Sequence, residues 1–488
     1  MKSQITCWFL CFVLCFAGLL IVGCQASPPV LPTRAETAVS SIPGSDPSQA
    51  SAPATPVTAT ATSEPPAGPP NIVLIVIDSL RADHVSAYGY GRATTTNLDT
   101  LIAADGMRFE HAISSASWTC PANAAIMSGI IPSRLESSWA TVGDALPRRI
   151  DTLAEYLQDG GYYTAGFITN TCISRNHGFA QGFDVYNQDF LRREDVDAYN
   201  QVDAAEINAL VLSWLTDEWQ GTRKANKPLF LFVYYMDPHV VYAPPAPYDT
   251  LYDPTYDGPF TSEGFDVGQD VVAGLVSPSE RDIEHIQALY DGEITYWDSQ
   301  FAWFITGLEN LGLRHNTLFI VTADHGELFG EHNKWVHGTA LYEELIRVPL
   351  LMWYPGVIPS GTSETPVQTF DLMPTILDLA DLPSPQDVDA VSLSPLFRGE
   401  TLPARTIYSE VDAAPSTDHW SAWIAPDTDL RSVEREGWKL IYHVGSPAED
   451  ELYQLETTSL YERDNQIQAE AARAEQLRQE GMVWFARE

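Results

Sequence analysis

From Asn71 onward, short runs of wholly apolar residues alternate with longer stretches in which apolar residues recur every three or four positions. Residues 72–77, in "NIVLIVIDSL", are continuous, apolar and rich in β-branched side chains. That pattern predicts a central parallel strand covered on both faces. Similar runs recur in "YYTAGFITN", "PLFLFVYYMDPH" and "NTLFIVTADHGE", and between them "IDTLAEYLQDGG" and "EITYWDSQFAWFITGLENLG" carry helical periodicity. Strands alternating with helices predict an α/β fold on a large sheet with crossover connections. The aromatic run "FVYYM" reads as core. Residues 243–280, with many Pro, Gly and acidic residues, read as a long surface excursion. After Gly399 the pattern changes: "GWKLIYHV" and "DELYQLE" predict short antiparallel strands, and residues 463–488 a closing helix.

Ahead of this fold lies a different kind of chain. Lys2 is followed by the apolar run "WFLCFVLCFAGLLIVGC", whose end, Ile21-Val22-Gly23-Cys24, resembles a bacterial lipobox. There the cysteine is lipidated and becomes the new N-terminus. Residues 1–23 are therefore expected to be a lipoprotein signal peptide, and 24–70, rich in Pro, Ala, Ser and Thr, a disordered tether. The expected location is extracytoplasmic, with attachment to the membrane through Cys24. Residues 71–400 are then the catalytic domain and 401–488 a C-terminal subdomain. Cys7, Cys11 and Cys15 leave with the signal, so Cys120 and Cys172 remain in the folded part, either paired or as separate buried thiols. Lys and Arg total 27 against 65 Asp and Glu, a net charge of -38 that repels phosphate backbones and excludes nucleic acid as a partner.

Three apolar runs end in polar clusters: Asp78-Ser79, Asp237-Pro238-His239 and Asp324-His325-Gly326-Glu327. In open α/β sheets, ligand groups gather at the carboxyl ends of strands. Asp78, Asp324 and His325 make a candidate divalent-metal site. Carboxylate oxygens suit calcium, magnesium or manganese, and the imidazole also admits zinc. Thr119, in "SASWTCPANAAIMSG", precedes Pro121 and a run of helix formers that Gly129 would stop. It is placed just before a helix N-terminus, where unpaired N–H groups favour an anion, and is a candidate further ligand and nucleophile. Cys120 reads as its small buried neighbour.

These stretches, with "YYMDPHVVYAPP", "LYDGEITYWDSQ", "HGTALYEELIRVPLLM", "DLMPTILDLADLP" and the C-terminal strands, follow one another as in the sulfatases of the alkaline phosphatase superfamily, over about residues 71–460. The resemblance implies a large mixed sheet flanked by helices, with a small C-terminal antiparallel-sheet subdomain. It implies one metal ion, calcium first, held by Asp78, Thr119, Asp324 and His325. His239 resembles the histidine that binds the substrate anion, and His337 stands where relatives place a lysine or histidine against the leaving group.

The chain departs from the family at its nucleophile. Sulfatases of the main type carry Cys or Ser, any residue, Pro, any residue, Arg, and oxidise the first to formylglycine. Here those positions are Thr119, Cys120, Pro121, Ala122 and Asn123. Thr119 takes the nucleophile's place, and Asn123, which hydrogen-bonds but carries no charge, replaces the arginine. Ser79 stands where many sulfatases have a second carboxylate. The leading expectation is a metal-dependent hydrolase of sulfate or phosphate esters, with Thr119, His239, His337 and Asn123 as catalytic residues. A transferase of phospho-headgroups at a membrane surface and a non-catalytic binding lipoprotein are the alternatives. Asn170 is a lesser site candidate. Glu327, Glu331 and His332 read as solvated loop positions near the metal motif, and Asp291 and Glu293 as structural helix residues.

Overall fold

The computed structural model describes residues 68–135, 139, 144–192, 202–221, 226–261, 267–413, 426–455 and 462–487. The expected signal peptide and nearly all of the tether lie outside these residues. Eight strands form the main sheet: β1 (Asn71–Ile77), β2 (Met107–Phe109), β3 (Tyr163–Phe167), β4 (Val185–Asn187), β5 (Leu229–Tyr235), β6 (Thr317–Ala323), β7 (Leu350–Trp353) and β8 (Gly361–Ser363). Their spatial order is β8-β2-β7-β6-β1-β5-β3-β4. β1 pairs in parallel with β5 and β6, whereas β7 runs antiparallel to β6, so the sheet is mixed.

The continuous apolar runs are explained by the two cores. Ile72, Leu74 and Val76 enter one, and Val73, Ile75 and Ile77 the other. Helices α1 (Thr119–Ser128), α2 (Leu153–Asp159) and α5 (Leu372–Leu379) pack in the first. Helices α3 (Ala204–Trp214) and α4 (Glu280–Asn310) pack in the second. The result is a three-layer sandwich. Both α2 and α4 start with a capping box, Thr152 with Glu155 and Ser279 with Asp282, which closes the reading of their N-termini.

The C-terminal strands β9 (Ile407–Val411), β10 (Leu430–Arg435), β11 (Trp438–His443) and β12 (Glu451–Gln454) form an antiparallel meander. Helix α6 (Ala471–Phe485) covers it, through Ala474 and Leu477. This helix is shorter than the expected 463–488, because Glu470 breaks the helical conformation at its N-cap. Between 243 and 280 the described residues carry only short turns, Tyr248–Thr250 and Val267–Val272, as expected of an excursion.

Candidate active site

Strand register builds the site. Ile77 lies opposite both Tyr235 and Ala323, so three parallel strands end level. The next residues of two of them, Asp78 and Asp324, therefore emerge side by side, and both are fully buried. Asp78 Oδ1 accepts from Ser79 Oγ at 3.0 Å and Oδ2 from Asn170 Nδ2 at 2.9 Å. Asp324 Oδ1 accepts the His325 N–H at 2.9 Å, and Oδ2 accepts from Tyr234 Oη at 2.7 Å and Asn123 Nδ2 at 2.9 Å. Ser79 takes a left-handed φ of 59°, with its carbonyl accepting from Tyr290 Oη at 2.7 Å.

His325 Nδ1 lies 2.9 Å from the Gly326 carbonyl, which can only accept, so Nδ1 carries a proton and Nε2 is the ring nitrogen turned to the carboxylates. That Nε2 is 3.4 Å from Asp78 Oδ1, 3.8 Å from Asp324 Oδ2 and 3.2 Å from Thr119 Oγ1. Lone pairs of two carboxylates and one imidazole thus converge. Among the described residues no Lys or Arg is ion-paired with either carboxylate. Burial, reinforced by the charge of Asp78, pushes the Asp324 carboxyl up to about 6. Two fully buried carboxylates, whose charges hold the His325 imidazole above its usual range against the effect of burial, offer with that imidazole a donor set and a charge that fit a divalent cation.

Thr119 is the first residue of α1, not the residue before it, and Pro121 is the third helical position. Trp118 is extended and ends the preceding segment, and Pro is tolerated there because first-turn N–H groups have no acceptor within the helix. The Trp118 side chain makes no capping bond, so the positive end of α1 is left open beside the Thr119 hydroxyl. Cys120 is disulfide-bonded to Cys172, with Cα atoms 5.3 Å apart. Its reading as a separate small neighbour is corrected, and the pairing is the alternative that holds.

Three histidine rings line the site. The His337 ring centroid is 4.5 Å from that of His325 and 5.1 Å from that of His239. His337 Nδ1 lies 3.0 Å from Glu327 Oε1, which leaves its Nε2 free of that contact. Glu327 is fully buried, not solvated as the sequence suggested. The chain folds back through a two-strand ladder, Leu328–Phe329 against Trp335–Val336, and encloses it. Burial raises the Glu327 carboxyl to about 7 and lowers His337 well below the usual imidazole range.

Asn123 occupies a different role from the one expected. Its Nδ2 donates to the Thr119 carbonyl at 2.9 Å and to Asp324 Oδ2 at 2.9 Å, so both amide hydrogens are engaged within the protein. An amide so placed orients a carboxylate and has no hydrogen left for a substrate oxygen. Asn170 joins the site through Asp78, as a candidate there should. Glu331 and His332 are half-buried in ion pairs, with Arg81 at 2.8 Å and Glu344 at 3.2 Å, so they too differ from solvated positions. Asp291 pairs with His84 and Arg92, and Glu293 accepts the Ala243 N–H, both structural as read. Tyr234 was missed as a site residue. The strand's alternation with Phe230 and Phe232, ending beside Asp78, was the available signal.

A family model described as Sulfatase matches residues 70–382, well over half of the chain. The chain belongs to the sulfatase family. A second model, N-sulphoglucosamine sulphohydrolase, C-terminal, matches residues 330–480. An arylsulfatase of Clostridium perfringens is 27% identical over 391 residues, 67% of this chain and 78% of the relative. Among solved structures, one captured with its substrate D-glucosamine-2-N,6-O-disulfate superposes with a TM-score of 0.67 at 21% identity, over 86% of this chain and 97% of the other. The phosphonate monoester hydrolase of Agrobacterium radiobacter gives 0.67 at 21% identity, over 85% and 95%. At such identities the structures establish the fold, and the family match supports the expected class, a sulfatase-like ester hydrolase. The large mixed sheet and antiparallel C-terminal sheet are those the resemblance implied.

Proposed function

We propose that this sulfatase-family chain is a divalent-cation-dependent hydrolase in which Thr119 is the nucleophile, and that phosphate esters are its preferred substrates over sulfate esters. One observation carries the reading: Thr119 Oγ1 sits at the open end of α1, 3.2 Å from His325 Nε2, while the neighbouring cysteine is held in a disulfide. A cysteine bonded to another sulfur offers no free thiol for oxidation to an aldehyde. The nucleophile is then a plain hydroxyl.

Asp78, Asp324, His325 and the Thr119 hydroxyl are the groups that would hold the cation, calcium by family resemblance, with magnesium, manganese or zinc admitted by the donor set. Bound there, a divalent cation supplies Lewis-acid polarisation and lowers the pKa of a hydroxyl. The protein's own groups supply the rest. Thr119 Oγ1 releases its proton to solvent and attacks phosphorus, and the bond to the leaving ester oxygen breaks. His239 and the open N–H end of α1 hold the non-bridging oxygens as negative charge grows there. His337, held neutral by burial, presents its Nε2–H and delivers that proton to the leaving oxygen as its Nδ1 takes up the proton of the Glu327 carboxyl, which burial keeps available up to about pH 7. Water then attacks the phosphorus of the threonine ester, and the Thr119 oxygen leaves. A threonine ester of sulfate has no second hydroxyl on the same carbon through which to collapse, which is why phosphate is the favoured group.

The test is turnover of matched phosphate and sulfate mono- and diesters by the purified enzyme, before and after chelation. Expected are faster phosphate turnover, loss of activity and a lower melting temperature on chelation, and recovery on adding back one divalent cation. Activity and stability indifferent to chelator and added cations would remove the metal site, and faster sulfate turnover would remove the substrate preference.

A further inference from the structure

We propose that the Cys120–Cys172 disulfide is a positioning clamp of the active site, which fixes the Thr119 hydroxyl relative to Asp78; the inference rests on the reading of Thr119 as nucleophile. The covalent path is short. Cys120 is the residue after Thr119 and the second residue of α1. Its sulfur joins Cys172, in a tight turn over Thr171–Ile173. Asn170 opens that turn, and its Oδ1 accepts the Cys172 N–H at 2.8 Å. Its Nδ2 donates to Asp78 Oδ2 at 2.9 Å. One disulfide and two hydrogen bonds of a single asparagine therefore connect the nucleophile to the carboxylate at the end of β1.

The opposite side of the site is tied separately. Asn123, one turn into α1, bonds both the Thr119 carbonyl and Asp324. The start of α1 is thus referenced to each carboxylate by its own link, one through an amide and one through the disulfide. Two features show that the second link bears on geometry and not only on chain entropy. Both sulfurs are buried, Cys120 at 0% and Cys172 at 6% exposure, so the clamp is packed and does not swing. The loop it holds is fixed again at Thr169, whose hydroxyl donates to the Tyr234 carbonyl at 3.1 Å, on the residue whose phenol bonds Asp324. Cutting the disulfide removes the link from the start of α1 to Asp78 and leaves the one through Asn123 to Asp324. A misplacement of about 1 Å in an attacking atom costs on the order of a hundredfold in rate, whereas ground-state binding of a substrate held by other groups changes little.

The experiment uses the cation-loaded enzyme with a phosphate ester. The double variant C120A/C172A is expected to lose about tenfold or more in kcat with KM within about twofold, at a temperature where it remains folded. Asn170→Ala, which keeps the disulfide and cuts the path at its other end, is expected to shift kcat in the same direction. Reduction of the wild type with a water-soluble phosphine in denaturant, where the buried pair is exposed, followed by refolding without oxidant, provides the reversible arm. The phosphine is oxidised to its oxide with oxygen from water, and two thiols appear per chain. Activity is expected to fall in step with that thiol titre and to return when a small disulfide re-oxidises the pair. A merely structural cross-link would lower the melting temperature and leave kcat unchanged, and that result, or full activity with both thiols free, overturns the clamp. Thr119→Ala, measured alongside, separates the two readings. If it is inactive while the cysteine variant keeps its kcat, the clamp alone fails. If it turns over normally, the nucleophile assignment fails as well.

Discussion

Thr119, Asp78 and Asp324 come from three distant parts of the chain, and each arrives through a local rule that is visible in its neighbours. The two aspartates follow apolar runs and are placed by strand ends. Thr119 precedes a helix-forming run. Glu327 and Tyr234 could not be placed that way. A glutamate four residues past a strand reads as solvated until a hairpin folds over it, and a tyrosine in "FVYYM" reads as core until strand register brings its hydroxyl to Asp324. The disulfide was open for the same reason, since a separation of 52 residues carries no pairing information. Glu327 yields a prediction at this scale. Its contact with His337 Nδ1 orients the ring, so Glu327→Gln should slow esters with poor, alkoxide-like leaving groups by about a hundredfold and those with good phenolic leaving groups far less. The slope of log(kcat/KM) against leaving-group pKa measures this. An equal loss across the series would assign Glu327 a purely structural part.

Elements were more legible than single contacts. The four apolar runs became β1, β3, β5 and β6, because strands buried on both faces need no polar alternation. Helix α1 was read correctly at its end and two residues late at its start. The end is set by Gly129, with φ of +69° in the left-handed region, and an added Cβ there would lie 3.3 Å from Met373 Sδ and 3.4 Å from Ala390 Cβ. Gly129→Ala should destabilise the protein by about 1–2 kcal/mol. A urea titration checks it, and an unchanged midpoint would mean that the C-terminus of α1 relaxes without cost. The start was misjudged because Pro at the first helical position is the commoner arrangement, whereas here it occupies the third.

At the scale of the whole molecule, the C-terminal meander is joined to the catalytic layers by buried charge. Lys439 on β11 reaches Glu343 at 2.8 Å and Glu462 at 2.9 Å. At two other buried acids burial outweighs every compensating contact. Burial, with the charge of Asp203 adding to it, raises Asp237 to about 8, and burial raises Glu410 to about 7 against the pull of Arg431. For a carboxyl raised in the fold, the neutral form is the stabilised one. Its contribution is complete below the unfolded value of about 4 and is lost as pH rises through the folded value. The melting temperature should therefore fall between about pH 5 and 8, and Asp237→Asn should make that fall shallower. Parallel profiles for the two proteins would contradict the assignment. None of this was readable from composition, which shows 65 acidic residues without saying which are buried.

The central claim is that Thr119 carries the transferred group, and the most direct measurement is rapid-quench mass spectrometry of the peptide around residue 119 during turnover of a phosphate ester, with Thr119→Ala as its control. The account predicts a phosphoryl adduct on Thr119, an intact Cys120–Cys172 disulfide, and a fall of several orders of magnitude in kcat for the variant. An aldehyde at position 120, or near-normal turnover by Thr119→Ala, would contradict it.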